Sequence, residues 1–224
     1  MTVFLRPPSA QEAVLAELRR QIAAGELRPG EKLVADQIGL ELGVSRVPVR
    51  EALRVLEGEG QVVTEPHRGY FMAELSLDDL GEIYRMRQLL EAEALRSAVV
   101  RIHEAGLAEI EALLDETDQA NAGGELSAYA RANRRFHFAI YAASERRPLV
   151  KTIGQLWDSS EAYRALFAND ESHREGAALD HRAIVAALRA RDAEALVEAH
   201  DAHRERASLA LGRLLGRSRT SACR

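Results

Sequence analysis

Arginines recur at every fourth position in the stretch "GVSRVPVREALRVLEGEG", residues 43–60, where they stand at Arg46, Arg50 and Arg54. On a helix this spacing places the three side chains along one face. A guanidinium group offers a planar fork of donors that matches a guanine edge or a phosphate. The pattern is therefore typical of nucleic-acid contact. The alternative is a solvated face in which the arginines pair with Glu51 and Glu57.

A second set of residues has the side chains of a metal site. Asn133 and His137 are four apart in "NRRFHFAIY", His181 lies on the apolar stripe of "DHRAIVAAL", and His200 and His203 are three apart in "EAHDAHRERA". Neutral imidazoles that face the interior of a helical bundle suit zinc or nickel. The alternative is that each histidine is a hydrogen-bonded core residue. Spacing alone does not choose between His200 and His203.

The segment around the arginine stripe predicts a small helical unit that ends in a hairpin. Ser9 can cap a helix that ends at Gly25, and Ser45 can cap another helix that carries Pro48 in its first turn. Between them a short helix is expected at about Val34–Leu42, and the strands are expected at Gln61–Thr64 and Tyr70–Ala73. A hairpin directly after a helix-turn-helix is the winged form of that motif.

This unit predicts how DNA would be contacted. A helix fits the major groove, and the residues at its N-terminus meet base edges there. Residues further along the helix reach phosphates, and the hairpin tip reaches the adjacent strand or the minor groove. The expected DNA-binding residues are, in chain order, Ser45, Arg46, Val47, Arg50, Arg54, His67, Arg68 and Gly69.

From Ser76 onward the pattern is helical throughout, which makes the protein mainly α. A capping box from Ser76 to Asp79 begins a long helix. Further helices are expected at about Ala108–Ala120, Ser127–Ala143, Leu149–Phe167, Glu171–Arg189 and Ala193–Leu215. About six helices of this length form a bundle. We therefore expect a DNA-binding domain over residues 1–75, an all-helical domain over residues 76–216 and a flexible tail over residues 217–224.

Composition limits the classes of protein. The chain has 224 residues, a formal net charge of -5, 46% hydrophobic residues and 29% charged residues, which is typical of a globular protein. Its apolar runs are far too short to cross a membrane, and no secretion signal is visible. A single cysteine, Cys223, allows no internal disulfide, so we expect a cytoplasmic protein. The acidic balance argues against a protein that coats nucleic acid non-specifically.

The string "GELRPGEKL…LGVSRVPVREALRVLEGEGQV…PHRGYF", within residues 10–73, resembles the winged helix-turn-helix of the GntR family of bacterial transcription regulators. The segments "LGEIYRMRQLLEAEA", "NRRFHFAIYAAS" and "DHRAIVAALRARDAEALVEAHDAHRERA", within residues 78–211, resemble the FCD domain of the FadR subgroup. The resemblance implies an effector-binding and dimerisation domain that follows a DNA-binding domain.

The resemblance also implies a set of site residues. The family's metal ligands correspond to Asn133, His137, His181 and His203, so the family register selects His203 over His200. Asn133 is neutral where many relatives carry an aspartate. The open coordination positions would take a carboxylate effector, and an arginine would complete the binding of that anion.

Arg87 is the first candidate for this arginine, and Arg134 is the second. The alternative for Arg87 is an ion pair with Glu91 along its own helix.

The combined prediction is a ligand-responsive transcription repressor and not an enzyme. A homodimer would bind double-stranded operator DNA, and a small organic acid bound at the divalent metal would control its affinity. One alternative is a metal-dependent hydrolase with a DNA-binding domain, since an open metal position can activate water. Another is a DNA-binding module whose histidines are purely structural.

Overall fold

The computed structural model of the chain describes residues 8–168 and 171–221, so Cys223 lies outside the described residues. The described part holds ten helices and three short strands, and the mainly α fold class is as predicted. An N-terminal unit with a wing is followed by a helical bundle. No helix within residues 8–168 and 171–221 combines the length and the apolar character that a membrane crossing requires.

The N-terminal unit is a winged helix-turn-helix. Its elements are α1 (Ala10–Ala23), β1 (Lys32–Leu33), α2 (Ala35–Leu42), α3 (Arg46–Gly58), β2 (Val62–Glu65) and β3 (Gly69–Met72). The strands form an antiparallel sheet in the order β1-β3-β2, in which Val63 pairs with Phe71. Ser9 caps α1, as predicted, and it also forms a capping box with Glu12.

The core of this unit is built on the apolar face of α3. Val49, Leu53 and Leu56 are fully buried there and pack with the buried residues of α1. Gly43 has a φ of 67° and ends α2, which allows the sharp turn into α3. Gly39 permits a close approach at the same corner, because a Cβ atom there would lie 2.9 Å from the carbonyl oxygen of Val44.

Seven described helices form the bundle. They are α4 (Leu77–Arg101), α5 (Glu104–Gly123), α6 (Leu126–Ala142), α7 (Arg147–Ser159), α8 (Glu161–Ala168), α9 (Glu171–Arg189) and α10 (Ala193–Ser221). Helix α10 packs on α9 and α4, and α5 packs on α6. The predicted capping box from Ser76 to Asp79 begins α4.

The single helix predicted over Leu149–Phe167 is wrong, because the chain breaks at Ser160 into α7 and α8. Ser160 has a φ of -104° and a ψ of 6°, which leaves the helical region. Arg164 donates from Nη1 to the carbonyl oxygen of Trp157 at 2.7 Å and to Ser160 Oγ at 3.0 Å. These side-chain bonds satisfy the end of α7, so the break carries little penalty.

Several boundaries also differ from the prediction. Helix α5 begins at Glu104 because His103 Nδ1 accepts from the Gly106 amide at 3.0 Å and caps it. Helix α10 continues past Leu215 to Ser221, so residues 217–221 of the expected tail are helical. Residues 216–221 contain two arginines, which have good helix propensity, and no proline. Ser45 stands at the N-cap of α3, but its side chain makes no capping bond.

Candidate functional site

The predicted DNA-contacting face of α3 is open. Ser45, Arg46, Val47, Arg50 and Arg54 are all exposed, and Val47 is 58% exposed although it is apolar. Within the described part of the chain none of the three arginines forms an ion pair. The alternative in which they pair with nearby glutamates is therefore not what the structure shows. Three unpaired guanidinium groups lie along one exposed helix face.

The tip of the wing presents the other predicted DNA contacts. His67 has a φ of 63° and Gly69 a φ of 99°, so the turn between β2 and β3 uses left-handed backbone. Arg68 pairs with Glu65, and its Cζ atom lies 5.0 Å from the centroid of the Phe71 ring. All of the predicted wing contacts are exposed.

Three histidines from three helices converge in the bundle. His137 on α6, His181 on α9 and His203 on α10 each offer one ring nitrogen, and these nitrogens lie within 4.8 Å of one another. His137 and His181 are almost completely buried, at 0% and 1% exposure. Asn133 lies one turn before His137 on α6, and both side chains line the same cavity.

The buried imidazoles are neutral and have free ring nitrogens. Burial lowers the pKa of His137 and of His181 well below 6.5, and the neighbouring histidines add to the effect for His137. Among the described residues no partner bonds His137 Nε2, either ring nitrogen of His181, or Asn133 Oδ1. Orphaned buried acceptors of this kind fit a cation, since neutral imidazoles and an amide oxygen are competent ligands for a first-row metal.

A carboxylate orients the third histidine. Asp180 Oδ2 lies 3.4 Å from His203 Nδ1, and Arg206 donates to both oxygens of Asp180 at 2.8 and 3.0 Å. Burial would raise the pKa of Asp180, but the bonds with His203 and Arg206 lower it below its usual value. The ionised Asp180 therefore holds His203 with Nε2 available, which is the arrangement found behind many metal-binding histidines.

His200, which spacing could not separate from His203, has a different environment. Its Nε2 lies 3.0 Å from Tyr141 Oη and 3.3 Å from His137 Nδ1, and its Nδ1 lies 3.6 Å from Glu91 Oε2. His200 is buried, and burial lowers its pKa well below 6.5. It belongs to a hydrogen-bonded network beside the cluster, and the cluster itself contains His203.

The cluster opens into a cavity of about 60 Å³. We call it the histidine cavity. Besides Asn133, His137 and His203, its wall contains guanidinium groups from three helices, namely Arg87, Arg164 and Arg204. The cavity thus combines neutral metal-type ligands with cationic side chains, which is an environment for an anion.

Arg87 is in this wall, whereas Arg134 is outside it. Arg87 Nε donates to Glu91 Oε1 at 2.8 Å, so the ion pair along its own helix is present, yet Arg87 Nη1 is buried without a described partner. Arg134 follows Asn133 by one position and therefore points away from the cavity, toward α7. It pairs with Asp158 at 2.6 Å and stacks on Phe138.

Sequence reasoning missed several residues of the cavity. Tyr84, Arg87 and Glu91 repeat at positions i, i+3 and i+7 of α4, so the helical period could have identified Tyr84. Arg164 and Arg204 gave no such signal, because each has an acidic residue three positions before it and reads as an exposed ion pair. Both are buried or nearly so in the fold.

Helix α8 connects the histidine cavity to the DNA-binding unit. Arg164 and Ala165 line the cavity, while Ala162 packs in the core of the winged helix-turn-helix. Between them, Tyr163 Oη accepts from the Leu75 amide at 2.7 Å and donates to the Leu75 carbonyl at 3.2 Å. Leu75 joins β3 to α4, so one short helix contacts the cavity, the DNA unit and the junction.

Known proteins resemble the whole of this architecture. Residues 82–206 match the FCD domain, and residues 10–72 match the bacterial regulatory proteins of the gntR family. The chain is 35% identical to the HTH-type transcriptional regulator McbR of Escherichia coli over 63% of this chain and 64% of that protein, which is under two thirds of its length. It is 30% identical to the uncharacterized HTH-type transcriptional regulator YdhC of Bacillus subtilis over 80% of each chain.

One more sequence relative and one solved structure also resemble the chain. The chain is 26% identical to the HTH-type transcriptional repressor RspR of Escherichia coli over 83% of this chain and 82% of that protein. The solved structure of E. coli McbR/YncC superposes with a TM-score of 0.82 at 27% identity and covers 93% of this chain and 100% of that chain. With both domain matches in the same order, the chain belongs to the GntR family of HTH-type transcriptional regulators and carries an FCD domain.

Proposed function

We propose that the protein is a cytoplasmic, homodimeric repressor whose affinity for operator DNA is controlled by a small carboxylate bound at a metal in the histidine cavity. The name of its relative RspR supports repression. The observation that carries ligand control is the cavity itself, in which buried and unpartnered ligand atoms face three guanidinium groups.

DNA binding would use the exposed face of α3. A dimer would place two copies of α3 in successive major grooves, about 34 Å apart. Ser45, Arg46 and Val47 stand at the start of the helix, where side chains meet base edges, and Val47 could contact a thymine methyl group. Arg50 and Arg54 stand further along and would hold phosphates, because each is exposed and forms no ion pair with a described residue.

The metal would be held by His137, His181 and His203, with the amide oxygen of Asn133 as a fourth ligand. Zinc or nickel is favoured because the set consists of imidazoles with one oxygen. A bound ion would supply a Lewis-acidic position for an effector oxygen. Arg87 would bind the effector's negative charge through Nη1, which the ion pair with Glu91 leaves free.

Control of DNA binding would pass through α8. Arg164 is in the cavity wall, and its bonds to Trp157 and Ser160 fix the junction between α7 and α8. A ligand that moves this junction also moves Ala162 in the DNA-unit core and Tyr163 at Leu75. The operator affinity would then change by the difference in effector affinity between the two arrangements.

The hydrolase alternative has one supporting feature, the three-histidine cluster. A hydrolase also needs a base beside it, and Asp180 is already bonded to Arg206 and His203. The test is to offer ester and amide substrates to the metal-loaded protein. Turnover that is lost in the variant His137→Ala would replace the regulator proposal with the hydrolase.

DNA binding can be tested by gel retardation with a DNA fragment that carries the gene's own promoter. Arg46→Ala should weaken binding by about 1–3 kcal/mol, the scale of a bidentate base contact. Arg182→Ala is the matched control, because Arg182 is also exposed but pairs with Asp118 in the bundle. Equal loss in both variants, or none in Arg46→Ala, would contradict the assigned role.

Metal binding can be tested by elemental analysis of protein purified without a His-tag. The double variant His137→Ala, His181→Ala should retain no zinc or nickel, because two of three converging imidazoles are gone. DNA binding by α3 should survive in this variant. Full metal occupancy in the double variant would show that His137 and His181 do not bind the metal. An absence of metal in the wild-type protein would favour purely structural histidines.

A further inference from the structure

On one side of the histidine cavity, three buried donor groups have no hydrogen-bond partner among the described residues. Tyr84 and Arg87 lie three positions apart on α4, and Trp157 lies on α7. All three line the cavity, and they are 7%, 4% and 3% exposed. Within the described part of the chain no atom accepts a hydrogen bond from Tyr84 Oη, Arg87 Nη1 or Trp157 Nε1. We call these three side chains the donor wall.

Stacking, together with one hydrogen bond from Arg87 to Glu91, holds the donor wall in place. The guanidinium carbon of Arg87 lies 4.4 Å from the centroid of the Trp157 ring and 5.3 Å from that of the Tyr84 ring. The Nε atom of Arg87 is fixed by Glu91, which is fully buried. The three donors are therefore oriented in advance and would need little rearrangement to bind a ligand.

The chemistry of the donor wall selects an acceptor. An indole N–H and a guanidinium can only donate, and burial raises the pKa of Tyr84, so its hydroxyl keeps its proton. Leaving such donors without a partner in the interior is unfavourable. A group that satisfies all three must offer several lone pairs and favour a positive neighbour, which describes a carboxylate.

The metal ligands and the donor wall together fit a ligand with two anionic groups. The ligand set of three imidazoles and one amide is neutral, so it leaves the charge of a divalent ion uncompensated. Arg87, Arg164 and Arg204 also line the wall, but Glu91, Glu161 and Asp201 pair with them. The charge of the divalent ion is therefore the one that the described residues leave uncompensated. A single carboxylate at the metal cannot both compensate the charge of the ion and accept hydrogen bonds from the donor wall.

We infer that the effector is a compact dicarboxylate, with one carboxylate on the metal and the other accepting from Tyr84, Arg87 and Trp157. The cavity volume of about 60 Å³ favours a compact acid over a bulky one. This inference rests on the proposed function, because it assumes a metal-bound acid in the same cavity. Beyond the proposed function, the inference specifies that the acid has two negative charges and that Tyr84 and Trp157 also bind it.

The test compares three probes of similar size on metal-loaded, full-length protein by calorimetry. Malonate carries two carboxylates, malonamate replaces one with an amide, and propionate replaces one with a methyl group. The wild-type protein should bind malonate at least about tenfold more tightly than either other acid, the scale of one charged hydrogen bond. The metal content is measured after each titration, so that extraction of the ion is not mistaken for binding.

Variants assign the effect to the donor wall. Tyr84→Phe removes one hydroxyl and keeps the ring, so it should weaken malonate binding about tenfold and leave propionate binding unchanged. Trp157→Phe removes the indole donor and provides a second, independent variant. Tyr70→Phe is the control, because Tyr70 lies in the wing, on β3.

The outcomes separate the inference from the proposal beneath it. If the acids bind only to metal-loaded protein but malonate and propionate bind equally, the dicarboxylate inference is wrong and the proposed effector site stands. The same holds if Tyr84→Phe and Trp157→Phe leave the ratio unchanged, which would mean that water satisfies the donors. If no acid binds to the metal-loaded protein, the proposed effector site is wrong and the inference fails with it.

Discussion

Acid should destabilise the metal-free bundle through its buried histidines. His137, His181 and His200 are nearly inaccessible, and burial is the first cause that lowers the pKa of each well below 6.5. In the unfolded chain the same imidazoles titrate near 6.5. As the pH falls below that value, the unfolded state binds protons that the folded state does not bind. The free energy of unfolding must therefore fall.

The magnitude follows from linkage. Between pH 6.5 and 5.5, a histidine that stays neutral in the fold and titrates at 6.5 when unfolded loses about 1 kcal/mol of stability. Three such histidines give a loss of about 3 kcal/mol, which is a large share of the 5–15 kcal/mol typical of folded proteins. Above pH 7.5 the unfolded imidazoles are also neutral, so the stability should level off.

The assay is urea denaturation at several pH values, in the presence of a chelator and at fixed protein concentration. Trp157 is the single tryptophan of the chain, and its ring centroid lies 5.4 Å from that of His137, so its fluorescence reports on this region. His200→Gln should reduce the loss by about 1 kcal/mol. His67→Gln, which changes an exposed histidine in the wing, should leave the loss unchanged.

A stability that changes by less than about 1 kcal/mol between pH 7.5 and 5.5 would refute this reasoning. It would mean that the folded bundle admits protons, and hence water, to these imidazoles. The same would follow if His67→Gln and His200→Gln had equal effects. The histidine cavity would then be a wet cleft, and the burial on which the metal and effector proposals depend would be absent.

Two further predictions concern the helix-turn-helix corner and the junction between the domains. Gly39→Ala should destabilise the protein by about 1–3 kcal/mol, because the new Cβ would lie 2.9 Å from the Val44 carbonyl oxygen. Gly81→Ala is the control, and it should stabilise the protein by about 0.5–1 kcal/mol because open space surrounds this position in α4. Urea denaturation measures both variants, and a stabilising Gly39→Ala would contradict the predicted clash. Tyr163→Phe should remove both bonds to Leu75 and reduce the effector-induced change in operator affinity, typically 5–150-fold, toward none. Gel retardation with and without the acid measures it, and an unchanged response would exclude this junction.

The DNA-binding unit could be predicted from the sequence because its signals are local. The cap at Ser9, the breaker Gly43 and the apolar arc of α3 lie within a few residues of the features that they determine. The strand β1 was not predicted, because two residues carry no alternation. It exists only because Lys32 and Leu33 pair with Phe71 and Tyr70, far along the chain.

The composition of the cavity could be predicted only in part, for the opposite reason. Helical spacing places Asn133 beside His137, but no spacing within one helix indicates that His181 and His203 approach from two others. The resemblance to the FCD domain, and not the spacing, grouped His181 and His203 with His137. The break at Ser160 depends on a bond from Arg164, whose sequence neighbours suggest only an ordinary exposed helix. Contacts made between helices are not encoded in any single periodic pattern.

The arginine stripe on an acidic protein is explained by how the other charges are used. Arginines of the bundle such as Arg96 and Arg189 are held in ion pairs with glutamates on neighbouring helices. Each such pair cancels locally, so it contributes little to the field around the molecule. Arg46, Arg50 and Arg54 have no such partners among the residues that the structure describes, and they share one exposed face, which concentrates positive charge there despite a net charge of -5. The net negative charge of the whole chain disfavours non-specific binding of a polyanion, so binding through this face of α3 is favoured.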